Sequence, residues 1–295
     1  MQKLAIIIPY YKIDFFERTL ESLNKQTNKE FTVYIGNDNS PDDPQLIIDK
    51  FSTNNNIIYK KFDNNLGGID LVKQWDRCIQ LSNEEPWIMI LGDDDTLSEN
   101  CIEEFYKSLP EIQKDNISVV KFSTIEIDEN DNPISKKYEH PTKELSTSAY
   151  VRKIKGETRS SLIEYIFSRE KYLKYGFKSF PLAFGSDNLA WIEFSECGDI
   201  YSINNAVVYF RMSKSSISGN KNIGMNEKTK AMYLTKKHII KNYFNYFTKD
   251  QRRDILKRAY KELVWSDNKN YIERIWIILL MIKHIPFQEV KNIYK

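Results

Sequence analysis

The sequence predicts an α/β fold: a Rossmann-like, mostly parallel sheet with a small antiparallel part and a helical C-terminal extension. Three observations carry this. Apolar runs rich in β-branched residues recur through the first 116 residues. Amphipathic helical stretches alternate with them across short loops. From about residue 220 the chain turns helical and basic. A run that is apolar at every position suits a strand covered on both faces, as in parallel sheets. Strand–helix alternation is the pattern of layered α/β domains.

Residues 4–8 (LAIII) are the first run, stopped by Pro9. Asp14 stands where it can cap a helix in which Phe16, Leu20 and Leu23 share a face. Residues 31–36 (FTVYIG) are a second strand and end in the turn-rich NDNSPDDP. Residues 57–62 are a third, followed by Asn64-Asn65-Leu66-Gly67-Gly68. Residues 69–81 then read as a helix with Leu71, Trp75, Cys78 and Ile79 on one stripe. Residues 86–91 (PWIMIL) are a buried strand that runs straight into Gly92-Asp93-Asp94-Asp95, and Ser98 opens a helix through Leu109. After residue 116 the pattern changes to antiparallel strands around a turn at DENDNP. Residues 140–160 read as a polar mobile loop, 161–175 and 187–197 as helices, and 206–211 as a short strand.

The chain has 295 residues, 41% hydrophobic and 28% charged, which suits a globular protein of one large or two modest domains. Its net charge of +2 gives no overall field to recruit nucleic acid. The charge is unevenly spread, however. Residues 221–295 carry 17 Lys and Arg against 7 Asp and Glu, leaving 26 against 34 for residues 1–220. Cys78, Cys101 and Cys197 are odd in number and widely spaced, which argues against a disulfide framework or a Cys-based zinc site and suits a reducing compartment. Residues 4–8 are too short a run for a secretory signal, and the longest apolar run, 275–282, falls far below the roughly 18 residues of a spanning helix. The expected location is cytoplasmic.

Three places hold candidate chemistry. Asp93, Asp94 and Asp95 follow an apolar strand, and ligands of open α/β sheets bind beyond the carboxyl ends of strands. Adjacent carboxylates repel one another unless a hard cation such as Mg²⁺ or Mn²⁺ sits among them. A solvated acidic turn is the plain alternative. Asp38, in Gly36-Asn37-Asp38-Asn39-Ser40, ends another strand and can accept from a base N–H or ribose hydroxyls; ordinary turn chemistry explains it as well. Asp187, in Phe184-Gly185-Ser186-Asp187, is either a helix cap or a general base.

The ordered series LAIIIPYYK, TLESLNKQT, YIGNDNSPDDP, NNLGG, WIMILGDDDTLSEN, FGSDNLAW and YFRMSKSSIS resembles glycosyltransferase family 2, of GT-A fold and the bacterial surface-polysaccharide type. It covers about the first 218 residues. The resemblance implies a catalytic domain over 1–218, a basic amphipathic helical region over 219–295, and inverting transfer from a nucleotide-diphospho-sugar, a UDP-sugar, to a glycan or lipid-linked hydroxyl. It implies Mn²⁺ or Mg²⁺ as cofactor. By the same resemblance Pro9, Tyr11, Asp38, Gly67 and Gly68 lie against the nucleotide, Asp95 is the metal ligand, and Asp93 or Asp94 contacts the ribose. Asp187 becomes the catalytic base, and Arg211, aided by Lys214, closes over the diphosphate. The chain departs from the family pattern at Gly92, Ser186 and Ser213, where an aspartate, a glutamate and a histidine are common. The last change leaves metal binding mostly to Asp95 and the diphosphate.

Trp191, one turn beyond Asp187, is open to acceptor contact or packing, whereas Trp75 and Trp87 sit in core-like patterns. His140, His238 and His284 fit no triad and are expected at the surface, and Lys73 and Arg77 on a solvated helix face. Residues 271–287 are apolar, aromatic and flanked by Lys and Arg. They suit either a helix packed on the catalytic domain or one lying in the inner face of the cell membrane beside anionic headgroups. Two other functions compete with this one. A sugar-phosphate nucleotidyltransferase needs a glycine-rich, arginine-containing loop where this chain has Pro9-Tyr10-Tyr11-Lys12. A catalytically silent nucleotide-sugar or glycan binding protein would keep Asp38 and the acidic cluster but not need Asp187. Dehydrogenase and P-loop motifs are absent.

Overall fold

The structure, a computed structural model, describes residues 4–52, 56–213, 225–266 and 270–286. In chain order its elements are β1 (Leu4–Tyr10), α1 (Phe16–Asn24), β2 (Phe31–Asn37), α2 (Gln45–Phe51), β3 (Asn56–Lys61), α3 (Leu71–Ile79), β4 (Trp87–Ile90) and β5 (Thr96–Leu97). Then come α4 (Cys101–Lys114), β6 (Val119–Ile127), β7 (Lys143–Leu145), α5 (Ser146–Lys155), β8 (Tyr165–Ser168), α6 (Arg169–Tyr175), α7 (Ser186–Phe194) and β9 (Asp199–Arg211). The chain continues as α8 (Met225–Asn242), α9 (Lys249–Trp265) and α10 (Tyr271–His284).

One mixed sheet runs β3-β2-β1-β4-β8-β6-β9-β5, with β7 also on β9. The first four strands are parallel. β8 lies antiparallel between β4 and β6, and β6 runs parallel to β9 across a bulge at Phe122–Ser123. The central strands β1 and β4 are buried on both faces because each feeds two cores. Leu4, Ile6 and Ile8 of β1 and Trp87 and Met89 of β4 join one cluster; Ala5, Ile7, Ile88 and Ile90 join the other. Trp75 and Trp87 are both core residues.

The structure corrects several expectations. Residues 140–160 are not an irregular loop: they contain β7 and α5. The buried face of α5 includes Ser146 and Thr147 beside Tyr150 and Val151, so no apolar period marks it. Residues 165–168 are a strand leading into α6, since so short an apolar run reads equally as helix or strand. β9 begins at Asp199, seven residues earlier than expected, because its polar residues 202, 204 and 205 hide the strand pattern. His140 is buried rather than superficial, and burial drives its imidazole pKa down to about 2.

The C-terminal helices share a third core with the catalytic region. Ile239, Ile255, Leu263, Ile277 and Met281 pack together with Tyr150 of α5 and Leu189 of α7. α9 starts with a capping box between Thr248 and Gln251. Inside this core Lys236 Nζ lies 2.9 Å from Glu262, and both side chains are almost fully buried. Glu262 also accepts from Arg258 at 3.0 Å. A buried pair is most sensitive to loss of one partner, which strands the other charge. Glu262→Met, which strands the buried Lys236, is therefore expected to cost about 3–5 kcal/mol in urea unfolding, and Lys236→Met/Glu262→Met to recover most of that loss.

Candidate active site

The strand order turns between β1 and β4: from β1 the chain moves outward through β2 and β3, then returns on β1's other side. The loops beyond these strand ends meet there, which is where open α/β sheets bind ligands. Asp93 closes the gap. Its Oδ2 accepts from the backbone N–H groups of Tyr11 and Lys12, both at 2.7 Å. Pro9 is opposite Gly36 in the β1–β2 ladder, and the Tyr11 carbonyl accepts from Ser40 Oγ at 2.7 Å. Tyr11 keeps its side chain exposed.

Asp94 and Asp95 point elsewhere. A Cβ built on Gly92 would strike Asp95 Oδ2 and lie 3.0 Å from Asp94 Oδ1, so both oxygens gather over a residue without a side chain. Asp95 Oδ1 is held by the Arg211 backbone N–H at 2.8 Å. Burial, then neighbouring carboxylates, push Asp94 up to about 7 and Asp95 well above the ordinary carboxylate range. Burial raises Asp93 too, against the pull of its two amide donors. Among the described residues no three His, Cys, Asp or Glu side chains converge as a complete metal cage, because Asp93 is turned to the β1 loop. What remains is a pair of hard oxygens, one from Asp94 and one from Asp95, gathered over Gly92. That donor set fits Mn²⁺ or Mg²⁺ with ligand oxygens completing the shell.

Arg211 does not lie open to a diphosphate, which corrects the sequence expectation. Its side chain is wholly buried. Nε donates to the Asp94 carbonyl at 2.7 Å, Nη1 to the Asp128 carbonyl at 2.8 Å and Nη2 to Asp131 Oδ1 at 2.5 Å, with the guanidinium over the Phe15 ring. It pins the backbone under the acidic cluster. Ser213 is buried beside it, and Lys214 lies outside the described residues.

Asp38 is buried and largely engaged by the protein. Oδ1 accepts from Leu66 N at 2.7 Å and from Arg77 Nη2, and Oδ2 from Gly67 N at 2.8 Å. The carboxylate thus moulds the Gly67–Gly68 loop, and at most one of its lone pairs is left for a ligand. Arg77 is not on a solvated face: it bonds Asp38 and Asn64 and stacks 3.9 Å from the Phe62 centroid. Lys73 is exposed, near Asp70.

Asp187 sits in the first turn of α7, half-buried, and accepts from Asn188 Nδ2 at 2.7 Å. Burial raises its pKa. Just before it, Leu182 and Ala183 both hold left-handed backbone, an uncommon strain that clusters at functional loops. The loop is braced from two sides. Ser179 Oγ donates to Asp70 at 2.9 Å, and Gly185, at φ 84°, sits where a Cβ would strike Thr235 of α8. A cleft of about 330 Å³ opens between residues 67–71 and 179–183. The larger cleft, about 830 Å³ between α1 and the 127–133 turn, touches none of the predicted site residues. Trp191 does not face an acceptor: it is 3% exposed and stacked 4.1 Å from Tyr165, inside an aromatic core with Phe167, Phe177 and Phe194.

The sequence pattern does not single out Arg159 or Glu164. They belong to a stretch read partly as mobile loop, and Glu126, the further partner of Arg159, lies in β6.

Among solved structures, residues 1–349 of S. aureus TarS in complex with UDP-GlcNAc superpose with a TM-score of 0.68 at 15% identity, covering 91% of this chain and 75% of that one. The same protein in complex with UDP gives 0.64 at 16%, covering 91% and 74%. At such identity the likeness is one of GT-A fold. No curated protein matches the sequence. The sequence pattern of glycosyl transferase family 2 matches residues 5–191, well over half of the chain. The chain belongs to glycosyltransferase family 2 and is a glycosyltransferase.

Proposed function

We propose that this glycosyltransferase moves a hexosyl group from a UDP-sugar to a hydroxyl of a glycan or lipid-linked saccharide, inverting the anomeric carbon with Mn²⁺ or Mg²⁺ at Asp94 and Asp95. The observation that carries this is the pair of carboxylate oxygens, from half-buried Asp94 and buried Asp95, gathered over Gly92 beside the sheet's switch point. Uridine is supported by the UDP and UDP-GlcNAc held by the structural neighbour. Asp93, Pro9 and Tyr11 shape one wall of the nucleotide pocket, and the Asp38-moulded Gly67–Gly68 loop shapes the other. A bound dication supplies neutralisation for the charge that grows on the departing diphosphate, worth several kcal/mol. Asp187 takes the proton of the attacking acceptor hydroxyl, and burial holds its carboxyl more basic than an ordinary aspartate, as a base requires. One displacement inverts the centre, so no second catalytic carboxylate is needed.

The same reading places the protein on the inner face of the cell membrane, where lipid-linked acceptors would be found. α10 packs Ile277 and Met281 inward yet leaves Tyr271, Ile272, Ile275, Leu279 and Ile282 exposed. Trp265 is exposed nearby in sequence, Lys241 sits over Trp276, and the last 75 residues carry the basic surplus. An apolar face rimmed by Trp, Tyr and Lys suits an anionic interface. Among the described residues no helix is long and apolar enough to cross a membrane.

Four measurements test these points. Mn²⁺ with UDP should raise the melting temperature of the wild type by several degrees, and that of Asp95→Asn hardly at all; equal shifts would remove the metal assignment. Asp187→Asn should lower kcat by about 10²–10⁴ with UDP binding intact. Wild-type activity should fall on acidification through an ionisation above that of an ordinary aspartate, because the base works only when ionised. Sedimentation with phosphatidylglycerol vesicles at low salt should capture the wild type and release Ile275→Ser/Leu279→Ser; no capture of the wild type rejects the membrane placement.

A further inference from the structure

Lys121, Glu126, Arg159 and Glu164 form an ion network at the antiparallel half of the sheet. Arg159 Nε donates to Glu164 Oε1 at 2.9 Å and Nη1 to Glu126 Oε1 at 2.8 Å, while the guanidinium stacks 4.0 Å from the Phe210 centroid. Glu164 is fully buried and also accepts from Ser161 Oγ at 2.8 Å, with Lys121 Nζ 3.5 Å from its other oxygen. Burial lowers Lys121 to about 8. Charges withdrawn from water in this way are costly to a fold, and they concentrate at functional sites.

The position of the network is specific. Phe210 adjoins Arg211, whose backbone N–H holds Asp95. Glu164 adjoins Tyr165, which stacks on Trp191, one turn beyond Asp187 in α7. The network therefore spans from the acidic corner to the helix of the base. Arg211 already spends Nε, Nη1 and Nη2 on the protein. Arg159 does not: two carboxylates and a ring fix its plane, and its Nη2 edge has no acceptor among the described residues and is not sealed from solvent.

We propose that Arg159 is the guanidinium that meets the β-phosphate of the departing nucleoside diphosphate, an assignment that rests on the donor reading above. When the anomeric C–O bond breaks, its electron pair passes to the phosphate oxygen. The acceptor oxygen forms the new C–O bond and its proton goes to Asp187. Arg159 transfers no proton. Its Nη2 hydrogens donate to the oxygen on which charge grows, and a fork pre-fixed by Glu126 and Glu164 needs no rearrangement at that moment.

The test compares UDP with UMP, which lacks the β-phosphate, by titration calorimetry with Mn²⁺, alongside turnover of the donor. Arg159→Gln should lose about 10²–10³ in kcat and about tenfold in UDP affinity, with UMP affinity unchanged. Arg159→Lys, which keeps the charge and guards against misfolding, and Glu126→Gln, which loosens the fork, should fall between it and the wild type. If folded Arg159 variants keep the full wild-type preference for UDP over UMP, or lose both nucleotides equally, the assignment is overturned. A wild type that binds UDP no better than UMP overturns the donor reading itself, and this assignment with it.

Discussion

Three consecutive carboxylates at the end of a buried strand set the terms for the rest of this molecule. Side by side and withdrawn from water, they repel one another and favour protonation. The fold separates them by direction. Asp93 turns to the amides of the β1 loop, Asp95 to the amide at the end of β9, and Asp94 is left between them over Gly92. The two outward ties join β1, β4 and β9 at one corner. The charge that suits the site to a dication is thus also what locks the strand ends together.

The arginines divide in the same way between structure and ligand. By sequence Arg211 is expected at the diphosphate and Arg77 on a solvated face. Both are occupied by the protein: one pins the backbone beneath the acidic cluster, and the other neutralises Asp38 while it shapes the Gly67–Gly68 loop. An arginine with filled donors stabilises a pocket wall but offers little to a ligand. Arg159 differs because its partners hold it from one side and leave one edge open.

The C-terminal helices belong to this architecture and do more than follow it. α8 presses on Gly185, two residues before Asp187, so the loop leading to Asp187 is framed by sequence outside the family match. α10 completes the third core with one face and keeps the other apolar and exposed. Of the two readings of this region in the sequence, packing holds for the face that carries Ile277 and Met281, and surface attachment is the proposal for the other.

What the chain declares locally could be read locally. The buried parallel strands, the helix between them, the placement of Asp93 to Asp95 beyond β4 and of Asp187 at a helix start follow from runs and turns a few residues long. Which charges pair could not be read that way. Arg77 meets Asp38 across 39 residues, and Arg211 meets Asp94 across 117. Trp191 faces its own core because α7 is buried nearly all round, which gives it no polar side to betray its orientation. Local pattern determines where the backbone goes and where acidic groups gather. Whether a charged or aromatic side chain is spent on the protein or kept for a ligand depends on neighbours brought in from distant segments, and only the packed tertiary structure decides it.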